Sequence, residues 1–220
     1  MFARSQNALR GRWENFWSSE QVCVVKLVGR EDVMDKLVYT AINPVKDGLV
    51  DRVVEASLVT HGTGVALAGA AAVAAAVSAG IDGATVRETF DVAADAAERA
   101  AERGRWVAAA DVAARIRWAT KLVRGEREPV ETIAMLVGTS LATQESVPAA
   151  FAVLALAGDD PWLACRLGAS VGGDCDTIAA MAGAVAGACC GVDALPVRAN
   201  VEHLDLDGLA DALLALRTGS

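Results

Sequence analysis

The stretch Gly172-Gly173-Asp174-Cys175-Asp176-Thr177 carries the most suggestive chemistry in the chain. Two carboxylates and a hydroxyl stand at i, i+2 and i+3, after two glycines that permit a tight turn and before the small-residue run Ile178 to Gly191. Oxygen donors at that spacing suit one hard cation, so the stretch reads as half of a magnesium site with Asp174, Asp176 and Thr177 as ligands. A plainer reading is open on the same residues. An Asp opening a helix accepts a backbone N–H bond and suits the positive end of the helix dipole.

The elements that must hold this turn read as helices. Asp160-Pro161 is a cap followed by a first-position proline, starting a helix from Trp162 to Ser170 that delivers the chain to Gly172. In the helix after the turn, Gly183 and Gly187 form a small-residue stripe expected to face a neighbouring helix. Upstream, Gly64 to Ala79 reads as a buried helix closed by Gly80, and Thr85-Val86-Arg87-Glu88 as a capping box for a helix carried on to Gly104. That helix turns Phe90, Ala93, Ala94 and Ala97 inward; its charges read as a solvated face without function.

A further helix is expected from Val107 to Arg124, with Val112, Ile116, Ala119 and Val123 spaced for burial, then a short one over Glu131 to Leu136. Gly138-Thr139-Ser140 gives a loop rich in donors. Gln144-Glu145-Ser146 precede Pro148, which the pattern places in the first turn of a helix continuing to Ala157. Asp207 to Arg217 reads as a last amphipathic helix, with Leu209, Leu213 and Leu216 on its apolar side. The expected fold class is all-α, a layered helical bundle over residues 57–220.

Composition bounds the function. The net charge of −8 argues against a nucleic-acid surface, and since residues 1–56 hold eight basic and eight acidic side chains, the whole excess falls after them. Five cysteines, odd in number and without paired metal spacing, fit a reducing cytoplasm, with Cys189-Cys190 as buried thiols. The opening residues lack the apolar core of a secretory signal. Gly64 to Ala79 is short and weakly hydrophobic for a membrane span, so no membrane partner is expected.

Gly-Gly-Asp-x-Asp-Thr followed by Ile-Ala-Ala-Met-Ala-Gly-Ala-Val-Ala-Gly resembles the C-terminal metal motif of the ADP-ribosylglycohydrolase family. Thr139 to Ala150 and Ser57-Leu58-Val59-Thr60-His61 resemble other stretches of that family in the expected order, so the resemblance runs from about Ser57 to Pro196. It implies a helical hydrolase of ADP-ribosyl or related ribosyl glycosidic bonds that uses two Mg²⁺ ions. It also implies that Gly172, Gly173, Ser140, Glu145, Ser146 and His61 lie near the substrate. From the residues alone, Glu145 and Ser146 equally read as caps of the following helix, and His61 as a cap or hydrogen-bonded core side chain.

Residues 1–56 differ in character, holding Phe2, Trp13, Phe16, Trp17 and Tyr39, half of the aromatics. Arg12 to Trp17, Glu31 to Tyr39 and Asn43 to Val50 resemble the C-terminal part of the REP-associated tyrosine transposases, with Tyr39 at the place of that family's nucleophile. Here Gln21 to Val28 is expected as a strand or extended arm and Glu31 to Ile42 as a helix, a small mixed appendage before the domain at 57–220. The paired histidines of that family are absent, since the two histidines are His61 and His203.

The remaining metal ligands of the glycohydrolase family, an Asp-Asp-Thr element, are likewise missing, and the one Asp-Asp pair, Asp159-Asp160, belongs to a helix cap. Mg²⁺ demands near-octahedral oxygen coordination and dehydrates reluctantly. At most a weak partial Mg²⁺ site is therefore expected, with the isolated chain inactive unless a complementing subunit supplies the other half. The alternatives are a non-catalytic relic or ADP-ribose-binding module and, more distantly, a DNA-acting transposase fragment.

Overall fold

The computed structural model describes residues 48–196 and 206–218. The expectations for Tyr39, the strand at 21–28 and the helix at 31–42 lie outside the described residues. The chain divides into two units, residues 42–206 and a second made of 1–41 with 207–220. The expected terminal helix spans Leu206–Thr218, with Leu209 and Leu213 half-buried and Leu214 exposed.

Residues 42–206 carry a bundle of helices, and the described residues hold no strand, only an isolated bridge between Thr63 and Arg105. Helix α1 (Leu49–Leu58) runs through the boundary expected near Ala56. Helix α2 (Gly64–Ile81) is capped by Thr63, whose hydroxyl accepts from the Ala66 N–H at 3.3 Å. It is long and apolar enough to cross a membrane, and 56% of that stretch is buried inside the protein. It passes through Gly80, which lacks the positive φ of a helix-ending glycine, rather than stopping there. A Cβ at that position would lie 2.7 Å from Cys189 Sγ.

Helix α3 (Thr89–Ala101) opens on the expected capping box. Glu88 accepts from the Thr85 N–H at 2.8 Å, and the Glu88 N–H donates to Thr85 Oγ1 at 3.4 Å. Phe90, Ala93, Ala94 and Ala97 are buried as expected, but the helix ends at Ala101, short of Gly104. Helix α4 (Val112–Leu122) starts five residues later than the expected Val107. The Arg105 N–H donates to Gly62 O at 2.8 Å and the Gly64 N–H to Arg105 O at 2.9 Å, pairing this stretch with the entry to α2. Asp111 then caps α4 by accepting from the Ala114 N–H at 2.6 Å.

Helix α5 (Pro129–Thr132) widens into a π turn over Ile133–Val137, where the short helix at 131–136 was expected. Helix α6 (Thr143–Ala157) is the buried axis of the core. Pro148 lies inside it, not in its first turn, because the Ala142 carbonyl already accepts from the Glu145 and Ser146 N–H groups. Helix α7 (Pro161–Ser170) is capped as expected by Asp160, which accepts from the Leu163 N–H at 2.8 Å. Helix α8 (Cys175–Cys190) completes the bundle.

Helices α2 and α3 pack together, as do α7 with α8 and α4 with α6. The main core holds Ile116, Ile133, Phe151, Leu154 and Ile178, and the Phe90 and Phe151 rings meet edge-on with centroids 6.0 Å apart. Such a pair contributes about 0.5–1.5 kcal/mol beyond its buried area. A second cluster, around Val54, Leu67, Ala71 and Ala96, joins α1, α2 and α3. Gly183 faces α7 as expected, with Cys165 Sγ 2.6 Å from where its Cβ would be. Gly187 does not: no described atom lies within 4 Å of its would-be Cβ, so among the described residues it meets no close helix neighbour.

Candidate metal turn

Two consecutive glycines make the turn between α7 and α8. Gly172 has φ 77° and Gly173 φ 64°, a left-handed pair that residues with a Cβ adopt only at a cost. At Gly173 space excludes a side chain as well, because a Cβ would run into the carbonyl of Thr139. The Asp174 N–H donates to that same carbonyl at 2.7 Å. The turn is thus fastened to the loop before α6.

Asp174 occupies the N-cap position of α8, yet its carboxylate takes no backbone N–H. Its Oδ1 accepts instead from Thr177 Oγ1 at 3.0 Å, and the side chain is half-buried. The plainer reading of this Asp as a side-chain cap therefore does not describe it. Asp176 is exposed in the first turn of α8, where the helix dipole favours a carboxylate. Cys175, between the two, packs against the main core. The donor set at this end is two carboxylates and a hydroxyl, all hard oxygens of the kind Mg²⁺ selects. Among the described residues no three His, Cys, Asp or Glu side chains gather as a cation cage. In kind these oxygens match the donors Mg²⁺ takes, and among the described residues the set is incomplete.

The facing loop is held from behind. Gly138 has φ 84°, and Glu145 lies against it where a Cβ would be, with Oε2 2.7 Å from that point. Glu145 Oε2 also accepts from the Ser140 N–H at 3.2 Å, and Ser140 Oγ accepts from the Ala142 N–H at 3.2 Å. Glu145 therefore braces the loop and does not cap α6 with its side chain. Ser146 is buried, its hydroxyl donating to Ala142 O at 3.3 Å within the helix's first turn.

Two contributors were not legible beforehand. Arg115, on α4, donates through Nη2 to the carbonyl of Val137, and its guanidinium lies 5.2 Å from the Trp118 ring centroid. Thr139 works through its main-chain carbonyl, which no side-chain pattern could announce. His61 lies in the α1–α2 turn, exposed, with Nδ1 2.9 Å from Thr60 Oγ1. Among the described residues no hydrogen bond links it to the 138–146 or 172–177 segments. Cavities of about 440 Å³ beside Gly64, Trp106 and Asp111 and about 400 Å³ beside Arg87, Arg124 and Asp159 are likewise lined by neither segment.

The sequence pattern of the ADP-ribosylglycohydrolase family matches residues 7–220. The chain belongs to that family. The match takes in most of residues 1–56, and it gives no support to the transposase resemblance of that segment. A relative, the uncharacterized protein YegU of Escherichia coli strain K12, is 37% identical over 179 residues. The alignment covers 78% of this chain and 54% of YegU, so this ADP-ribosylglycohydrolase homologue spans about half the length of the relative it matches.

Proposed function

We propose that the chain provides the metal-turn half of a magnesium-dependent hydrolase of ADP-ribosyl or related ribosyl glycosidic bonds. The observation that supports this reading is the junction of Thr139 with Gly173 and Asp174, where the turn carrying the metal motif meets the Thr139 to Ala150 stretch. Asp174, Asp176 and Thr177 would hold the cation. When bound, Mg²⁺ would stabilise charge and position a water for cleavage at the anomeric carbon.

On the substrate side, the reading assigns Gly172, Gly173, Ser140 and His61 to the ribosyl group, with Glu145 and Ser146 as the wall behind the loop. The ligands absent from this end would come from a complementing subunit in a reducing cytoplasm. Neither a membrane nor a nucleic-acid partner is invoked. A second reading, an ADP-ribose-binding module without turnover, is favoured by the incomplete donor set.

Hydrolysis of an ADP-ribosylated peptide by the chain alone, at high magnesium, tests the proposal. No turnover is expected without the complement. Turnover that disappears in Asp176→Ala would place the missing ligands elsewhere in this chain or in a second copy of it.

A further inference from the structure

We infer that Arg115 and Glu145 are positioning residues for the metal turn, acting on Asp174 through the loop at Val137–Ser140. The inference rests on the cation role proposed for Asp174 only for its purpose; the mechanical link is a matter of contacts.

The loop is gripped on both sides of Thr139. Arg115 Nη2 holds the Val137 carbonyl from α4, and Glu145 Oε2 holds the Ser140 N–H from α6 while filling the space beside Gly138. Between these grips Thr139 presents its carbonyl to the Asp174 N–H at 2.7 Å and leaves no room for a side chain on Gly173. The two charged side chains therefore set where Thr139 O sits. Thr139 O in turn fixes the peptide that begins α8.

Arg115 also shows a cost that plain helix termination does not explain. Its Nε is buried and has no hydrogen-bond partner, and a buried unpaired donor opposes folding. An arginine kept under that penalty, with its guanidinium near Trp118 and aimed at one carbonyl, is placed to hold the loop.

The test is amide hydrogen exchange of the full chain in metal-free buffer, comparing Asp174 with a core amide, Phe151. In Arg115→Met, the Asp174 amide is expected to exchange about fivefold faster or more, the worth of one ordinary hydrogen bond, while Phe151 changes less than about twofold. Arg115→Lys, which keeps a charged donor group without the guanidinium fork, should recover part of the protection. Glu145→Ala should act like Arg115→Met and Glu145→Gln should not, giving an independent route if the arginine variant folds poorly. Asp174 and Phe151 accelerating together, or Asp174 unchanged in both Arg115→Met and Glu145→Ala, would overturn the inference. Because exchange is read without metal, a wild-type chain that bound no Mg²⁺ would count against the proposed function and not against this link.

Discussion

Thr139 and Asp174 lie on separate motifs and meet through one hydrogen bond, the Asp174 N–H to the Thr139 carbonyl at 2.7 Å, with Gly173 wedged against the same carbonyl. A side chain at position 173 faces two obstacles, a left-handed φ of 64° and the Thr139 oxygen. Gly173→Ala is therefore expected to destabilise the protein by about 1–3 kcal/mol, with backbone displacement at 172–174. Denaturant melts check the first effect and amide shifts of Asp174 and Thr177 the second. A neutral substitution would contradict the close junction.

Helices α7 and α8 approach through Gly168, where a Cβ would lie 2.6 Å from the Ala179 Cα and 2.9 Å from its N. Both are backbone atoms that cannot swing aside. Gly168→Ala should lower stability by about 1–3 kcal/mol despite the better helix propensity of Ala, which is worth at most about 1 kcal/mol. A rise in the urea midpoint would show that the helices can part at little cost.

The placement of the α4 start at Val112 has its own check. Asp111→Ala removes the acceptor for the Ala114 N–H and should cost about 1 kcal/mol, whereas a helix beginning at Val107 would lose less from an interior Asp→Ala change and could gain. Equilibrium unfolding of the variant distinguishes the two.

Burial pushes the Cys189 thiol up to about 11, with the Cys190 thiolate and the Asp159 carboxylate adding to the rise. A raised thiol pKa means the folded state keeps a proton that the unfolded chain loses near the ordinary value of 9.0. This contribution is fully present below pH 9.0 and is lost as pH climbs toward 11. The urea midpoint should fall across that window, and the fall should be shallower in Cys189→Ala. An unchanged slope in the variant would remove Cys189 from the account.

How far the sequence could be read differs from residue to residue for physical reasons. Local chemistry was legible: Thr85 with Glu88 and Asp160 with Pro161 satisfy helix starts using their own neighbours, and both form as expected. The burial of Phe90, Ala93, Ala94 and Ala97 followed from spacing alone. Tertiary pairing was not legible. Residues 107–110 are fair helix formers, yet the Arg105 bonds to the α2 entry delay the helix to Asp111 and Val112. Arg115 has the sequence signature of any solvated helix charge, and its partner at Val137 is brought to it only by the packing of α4 on the π turn. Of the metal turn, the residue types and the tight glycine turn could be read. The use of Asp174 Oδ1 by Thr177 and the seat on Thr139 depend on three-dimensional placement.

A Mg²⁺ titration followed at the Asp174, Asp176 and Thr177 amides tests whether this turn holds a cation. Half a donor set should bind with Kd of about millimolar or weaker, the range of the weakest oxygen-ligand sites. The shifts should vanish in Asp176→Ala while the Phe151 amide stays in place. Micromolar binding by the isolated chain, or shifts that survive both Asp174→Asn and Asp176→Ala, would contradict the account.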